Sequence, residues 1–184
     1  MVHSNRSQLI EQAILALRSN DTERQRTALV DSHELFRRRS RRASVRPASR
    51  TVSTGASDAM LIAEIRKMLK SPDDDLAGLA AFALEYSQES DLIADLATSA
   101  RDHSGSAYVL LQIIVTLDHL LRHIAQSLEA GEFGGDAGPL VREGCQTLRF
   151  VARSSPDTTH NTKQAAKAFL LGQSRRFSTL GLAC

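Results

Sequence analysis

Tryptophan is absent from this 184-residue chain, and aromatic residues together make up only 4% of it. Proline (4) and glycine (10) are scarce as well. A chain poor in aromatics and turn residues but rich in alanine and leucine suits helix packing better than sheets. The two cysteines, Cys145 and Cys184, stand far apart and offer neither a disulfide framework nor a zinc spacing. A reducing compartment, cytoplasmic or nuclear, is expected. The opening MVHSNRSQLIEQ is polar and periodic and lacks the apolar region of a secretory signal. No G-x-S-x-G, Walker loop or dinucleotide fingerprint occurs, and the glycine-rich Gly131–Asp136 lacks the lysine that a phosphate loop would place after it. The chain is therefore expected not to be an enzyme and to need no cofactor.

What is present is helical periodicity. The segment Ser106–Gly131 leaves little of a helix circumference polar, which marks a buried helix. Its uninterrupted apolar run ends at Asp118 and His119, short of the roughly 20 residues that a bilayer needs. The expected fold is all-α: a compact multi-helix domain around this central helix, preceded by N-terminal helices and a disordered Arg/Ser-rich arm. Residues 1–39 read as two amphipathic helices, about 5–18 and 22–39, with apolar faces too narrow to fold alone. Residues 40–57 (SRRASVRPASRTVSTGAS), broken by Pro47 and Gly55, read as a disordered basic linker. Residues 58–172 form the expected core domain and 173–184 a basic tail. Within the core domain, Ser71-Pro72-Asp73-Asp74-Asp75 reads as a helix start, with Ser71 as cap, Pro72 in the first turn and three carboxylates at the positive end of the helix dipole.

The formal charge of +2 hides a strong asymmetry. Seven arginines (Arg37, Arg38, Arg39, Arg41, Arg42, Arg46 and Arg50) lie in one stretch with no acid among them. Without them, 16 basic residues face 21 acidic ones, a net charge of −5. Guanidinium groups pair bidentately with phosphate and release counterions from nucleic acid. Arginine-rich segments that fold on binding are an established way of gripping RNA. No helix-turn-helix, zinc-finger or basic-zipper pattern presents a reader for the DNA grooves, so RNA is favoured. A localisation signal or a solvated linker would carry a similar basic run.

Ser40, Ser44 and Ser178 follow paired arginines and resemble the Arg-Arg-x-Ser motif of cyclic-AMP-dependent and related kinases. Each phosphate would add about −1.5 to −2 to the local charge. Between Ser71 and Ala100 stand seven acids and no basic residue; capping and a solvated face explain them, and a docking surface for the arm is the sharper alternative. His119 and His123 have the i, i+4 spacing of a metal pair but belong to a polar stripe with Gln112, Thr116 and Gln126, so no metal is expected. Asp118 and Arg122 read as an ion pair one turn apart, and Cys145 as a core thiol.

In layout the chain resembles small transcription cofactors and nucleocapsid-associated proteins of RNA viruses, in which an Arg/Ser arm precedes a helical oligomerising domain. The cysteine–histidine finger that several of those carry beside the arm is absent here. The resemblance implies an RNA-binding accessory or regulatory protein that forms homo-oligomers, its arginines contacting single-stranded or structured RNA. The alternative is a phospho-regulated adaptor that binds a protein partner and no nucleic acid.

Overall fold

The computed structural model describes residues 2–45, 55–154 and 160–184; the side chains of 2–5 and 42–45 lie outside that description. Every regular element among the described residues is a helix, eight in all, so the chain is all-α. The helices fall into two compact units, Met1–Ser87 and Gln88–Cys184.

The first unit holds α1 (Val2–Leu17), α2 (Thr22–Val45), α3 (Ala56–Met68) and α4 (Asp74–Ala83). Ile10, Ala13, Ile14 and Leu17 recur at helical spacing and are all buried, forming the inner stripe of α1. Helix α1 packs on α2 and α3, and α2 packs on α4. The Asp21 carboxylate accepts from the amides of Glu23 and Arg24 and so caps the start of α2. On α2, Leu29 and Phe36 are fully buried, and between them the Ser32 hydroxyl is satisfied by the Ala28 carbonyl at 2.6 Å. Burial of Phe36 alone is worth roughly 1.5–3 kcal/mol. The narrow apolar faces of the N-terminal helices thus find their core against Leu61, Ile65 and Leu69 of α3 and its end and against α4.

Two features of this unit differ from the sequence reading. Helix α2 runs through Ser40 to Val45, where the linker was expected to begin. Arginine and alanine are good helix formers, and cations suit the negative end of a helix dipole, so nothing in residues 40–45 stops the helix. The remainder of the expected linker, 46–54, lies outside the described residues. Helix α4 starts at Asp74, with Asp73 and not Ser71 as its cap: the Asp73 carboxylate accepts from Asp75 N at 2.9 Å and Leu76 N at 3.3 Å. The Ser71 hydroxyl is already taken by the amide of Asp73, which folds Ser71–Asp73 into a turn ahead of the helix.

The second unit is built on α5 (Leu92–Asp102), α6 (Ala107–Glu129), α7 (Gly138–Arg153) and α8 (His160–Thr179). Helix α6 packs against the other three and buries 11 residues, among them Leu110, Ile114, Leu117 and Leu121. By length and composition alone it is apolar enough to cross a membrane. In this unit its one buried carboxylate, Asp118, accepts from Gln173 Nε2 at 2.6 Å and pairs with Arg122, so an inner helix carries a satisfied charge. Helix α7 approaches α6 closely at Gly144, where an added Cβ would lie 3.0 Å from Leu121 Cδ2.

Here too the structure departs from expectation. The expected domain 58–172 is divided at Ser87–Gln88, and the expected tail 173–184 begins inside α8. Gly172 does not end that helix, because Gln173 is bonded to Asp118 and Phe177 is fully buried one turn on. The cysteines are not free. Cys145, fully buried on α7, forms a disulfide with Cys184, their Cα atoms 5.4 Å apart. Sequence spacing hid the pair because the α7–α8 packing and a turn through Gly181 (φ +73°) bring the ends of a 39-residue separation together.

Candidate nucleic-acid interface

Five of the seven arginines, Arg37, Arg38, Arg39, Arg41 and Arg42, occupy the last turns of α2, a helix about 36 Å long at 1.5 Å per residue. At about 100° per residue, Phe36 marks the packed side, Arg37, Arg38 and Arg41 fall on the other, and position 42 continues that arc by helical register. The Arg38 side chain is 68% exposed and that of Arg37 37% exposed. Both face Glu34, with Arg38 Nε at 2.8 Å and Arg37 Nε at 3.0 Å from its carboxylate. The hydrogen bond from Arg38 is the main reason the Glu34 carboxyl is held below its ordinary value; burial opposes the shift, and the charges of Arg37, Arg38 and Arg41 reinforce it. The Glu34 carboxylate thus lies within the field of three guanidinium groups.

Arg39 does something else. Its side chain is 11% exposed, and its Nη1 donates to Asp58 Oδ2 at 3.3 Å. The other oxygen of Asp58 accepts from Arg6 Nη2 at 2.8 Å. Asp58 is buried, so two cations from α1 and α2 neutralise one carboxylate on α3. A buried carboxylate without such partners would be costly. Arg39 is therefore a tie between helices, while Arg37, Arg38 and Arg41 face outward. Arg46 and Arg50, and the side chain of Arg42, lie outside the described residues.

Beside the arc is a cluster that the sequence did not signal. The His33 ring stacks on Phe82 with centroids 3.8 Å apart and meets Tyr86 edge-on at 5.2 Å. His33 Nε2 lies 3.2 Å from Glu85 Oε2. Burial pushes the Tyr86 phenol up, the charge and hydrogen bond of Glu85 add to this, and the charges of Arg37 and Arg41 oppose it. An aromatic ring thus stands within the field of the arginine arc. His33 and Tyr86 are lone residues far apart in sequence, and only the packing of α2 on α4 unites them.

The serines separate. Ser40 is half-buried within α2, Ser178 is exposed in the last turn of α8, and the side chain of Ser44 lies outside the described residues. The acids between Ser71 and Ala100 have individual partners: Asp73 caps α4, Asp75 pairs with Arg26 at 2.9 Å, and Glu85 meets His33. His119 and His123 are half-buried on α6, and no group of three His, Cys, Asp or Glu among the described residues is placed to hold a metal ion. No family model matches the chain, and neither a curated protein nor a solved structure does.

Proposed function

We propose that the chain is an RNA-binding accessory or regulatory protein whose contact surface is the outward arc of α2. Arg37, Arg38 and Arg41, continued by Arg42, Arg46 and Arg50, neutralise phosphates; Arg39 holds the helix in place and makes no contact. The observation that carries this reading is the concentration of three arginines, Arg37, Arg38 and Arg41, on the side of α2 away from Phe36. The helical units would supply self-association and a docking surface for a protein partner. Phosphate on Ser44 or Ser178 would lower the positive charge available to RNA. Ser40, half-buried in α2, is the poorest kinase target of the three.

The test is fluorescence anisotropy of a labelled single-stranded RNA titrated with the full chain and with a variant carrying alanine at Arg37, Arg38, Arg41 and Arg42. The variant should bind at least about tenfold more weakly, since four phosphate contacts are lost. The loss should be similar for RNAs of unrelated sequence, because phosphate contacts position without reading bases. Equal affinity of variant and parent would leave the adaptor reading, in which the body binds a protein and the arm is a signal or kinase target.

A further inference from the structure

Helix α7 carries a second pair of arginines that the α2 reading does not use. Gln146, Arg149, Phe150, Arg153 and Ser154 line an open groove of about 420 Å³, a volume in the range of small-ligand sites. Phe150 presents an open ring there, 36% exposed. The Ser154 hydroxyl is turned back onto the carbonyls of Phe150 and Val151, at 2.9 Å each, so among the described lining residues the polar groups left for a ligand are the Gln146 amide and two guanidiniums. Among the described residues neither Arg149 nor Arg153 meets a side-chain carboxylate. Two guanidiniums one turn apart, beside an aromatic ring, are suited to an oxyanion carried on a flat apolar group.

One of the two is already engaged. Arg149 donates through Nη2 to the main-chain oxygen of Cys184. Cys145 sits one turn before Arg149 on α7, so the disulfide and this guanidinium share a helix face. Past α8 the chain turns back, with Leu182 N donating to Phe177 O at 2.9 Å, and the bond to Cys145 holds its end. The disulfide therefore sets the tail on Arg149.

We propose that this groove is an aryl-oxyanion site, for a phosphate monoester or carboxylate on an aromatic group, and that the Cys145–Cys184 bond gates it. While the bond is closed, the tail occupies Arg149 and only Arg153 is open to the anion. A dithiol opens it: one thiolate attacks Sγ of Cys184, which is half-exposed where Cys145 is fully buried, and the S–S bond breaks. Cys145 leaves and takes a proton; the second thiol of the reductant then attacks its own sulfur in the mixed disulfide and releases Cys184 as a thiol. Two electrons pass to the chain, and the dithiol becomes a disulfide.

The experiment is calorimetric titration of the full chain with phenyl phosphate, oxidised and after reduction by dithiothreitol, with benzoate and inorganic phosphate as parallel probes. Reduction should tighten phenyl phosphate by at least about fivefold, the order expected for one added charge-assisted contact. Cys184→Ser should bind as the reduced chain does without any reductant. Inorganic phosphate should bind more weakly than phenyl phosphate, and a benzoate response tells whether carboxylates share the site. Two variants keep the test clear of any unfolding on reduction. In the oxidised chain, Arg149→Ala should leave the weak affinity unchanged, and Arg153→Ala should abolish it. Neither should alter RNA affinity, so failure here is distinguishable from failure of the α2 reading. Equal affinity in both redox states, a loss in oxidised Arg149→Ala, or no binding in any state overturns the proposal.

Discussion

The tie between Arg39 and Asp58 makes a sharp prediction, because it decides which arginine of the run is structural. Asp58→Asn keeps the shape of the side chain and removes its charge. Arg6 is 36% exposed and can turn to water, whereas Arg39 is 11% exposed and cannot do so freely. Breaking a buried ion pair by removing one partner costs about 3–5 kcal/mol. The exposure of Arg6 places Asp58→Asn near the lower end, about 3 kcal/mol. In a double-mutant cycle, Asp58 and Arg39 should couple by about 1.5–3 kcal/mol, and Asp58 and Arg6 by less than about 1 kcal/mol. With no tryptophan in the chain, urea denaturation should be followed by far-ultraviolet circular dichroism, the signal of the helices themselves. A change under about 0.5 kcal/mol for Asp58→Asn, the size of an ordinary surface substitution, would refute the reasoning. So would a coupling to Arg6 larger than that to Arg39.

Four further outcomes are expected. Leu121→Ala on α6 should destabilise the chain by about 2–5 kcal/mol, measured by thermal denaturation. Gly144→Ala should cost about 1–3 kcal/mol by crowding Leu121, and the two together should cost less than their sum, since each changes the same contact. Glu64, buried on α3, is held below its ordinary value of 4.5 chiefly by the hydrogen bond from Lys67 and next by that from Arg18, with burial opposing. A depressed carboxylate contributes stability that is whole above the unfolded value and is lost as pH falls through the folded one. Glu64→Gln should therefore flatten the acid limb of the stability curve below about pH 4.5, and an unchanged limb would contradict the assignment. Light scattering at tens of micromolar should report a dimer or larger assembly, since about −7 kcal/mol of association already shows at that concentration.

The helices were legible because their apolar residues recur at helical spacing: Ile10, Ala13, Ile14 and Leu17 on α1, and the nearly all-apolar α6, both read off the chain. Boundaries were less legible, because they depend on tertiary partners. The Asp118–Gln173 bond and the burial of Phe177 carry α8 past Gly172, and no local signal announces either. Asp118 itself read as half of an ion pair with Arg122; its second partner, Gln173, comes from α8, 55 residues away. The arginine run was visible as charge, but its division into Arg39 on Asp58 and Arg37, Arg38 and Arg41 facing outward needed helix register and a carboxylate on α3. The disulfide escaped for the same reason, since spacing in sequence says nothing of how two helices and a turn bring their ends together.

The salt dependence of RNA binding by the full chain tests the role of α2 most directly. Binding to single strands loses about 0.7 units of slope in log K against log salt per phosphate contacted. With Arg39 withdrawn, about four to six contacts predict a slope near −3 to −4. Alanine at Arg37, Arg38, Arg41 and Arg42 should make that slope shallower by about 2 to 3, while Arg39→Ala should lower stability and leave the slope where it was. A parent chain whose RNA binding does not respond to salt, or a four-arginine variant with the parent's slope, would contradict the claim that this face of α2 meets RNA.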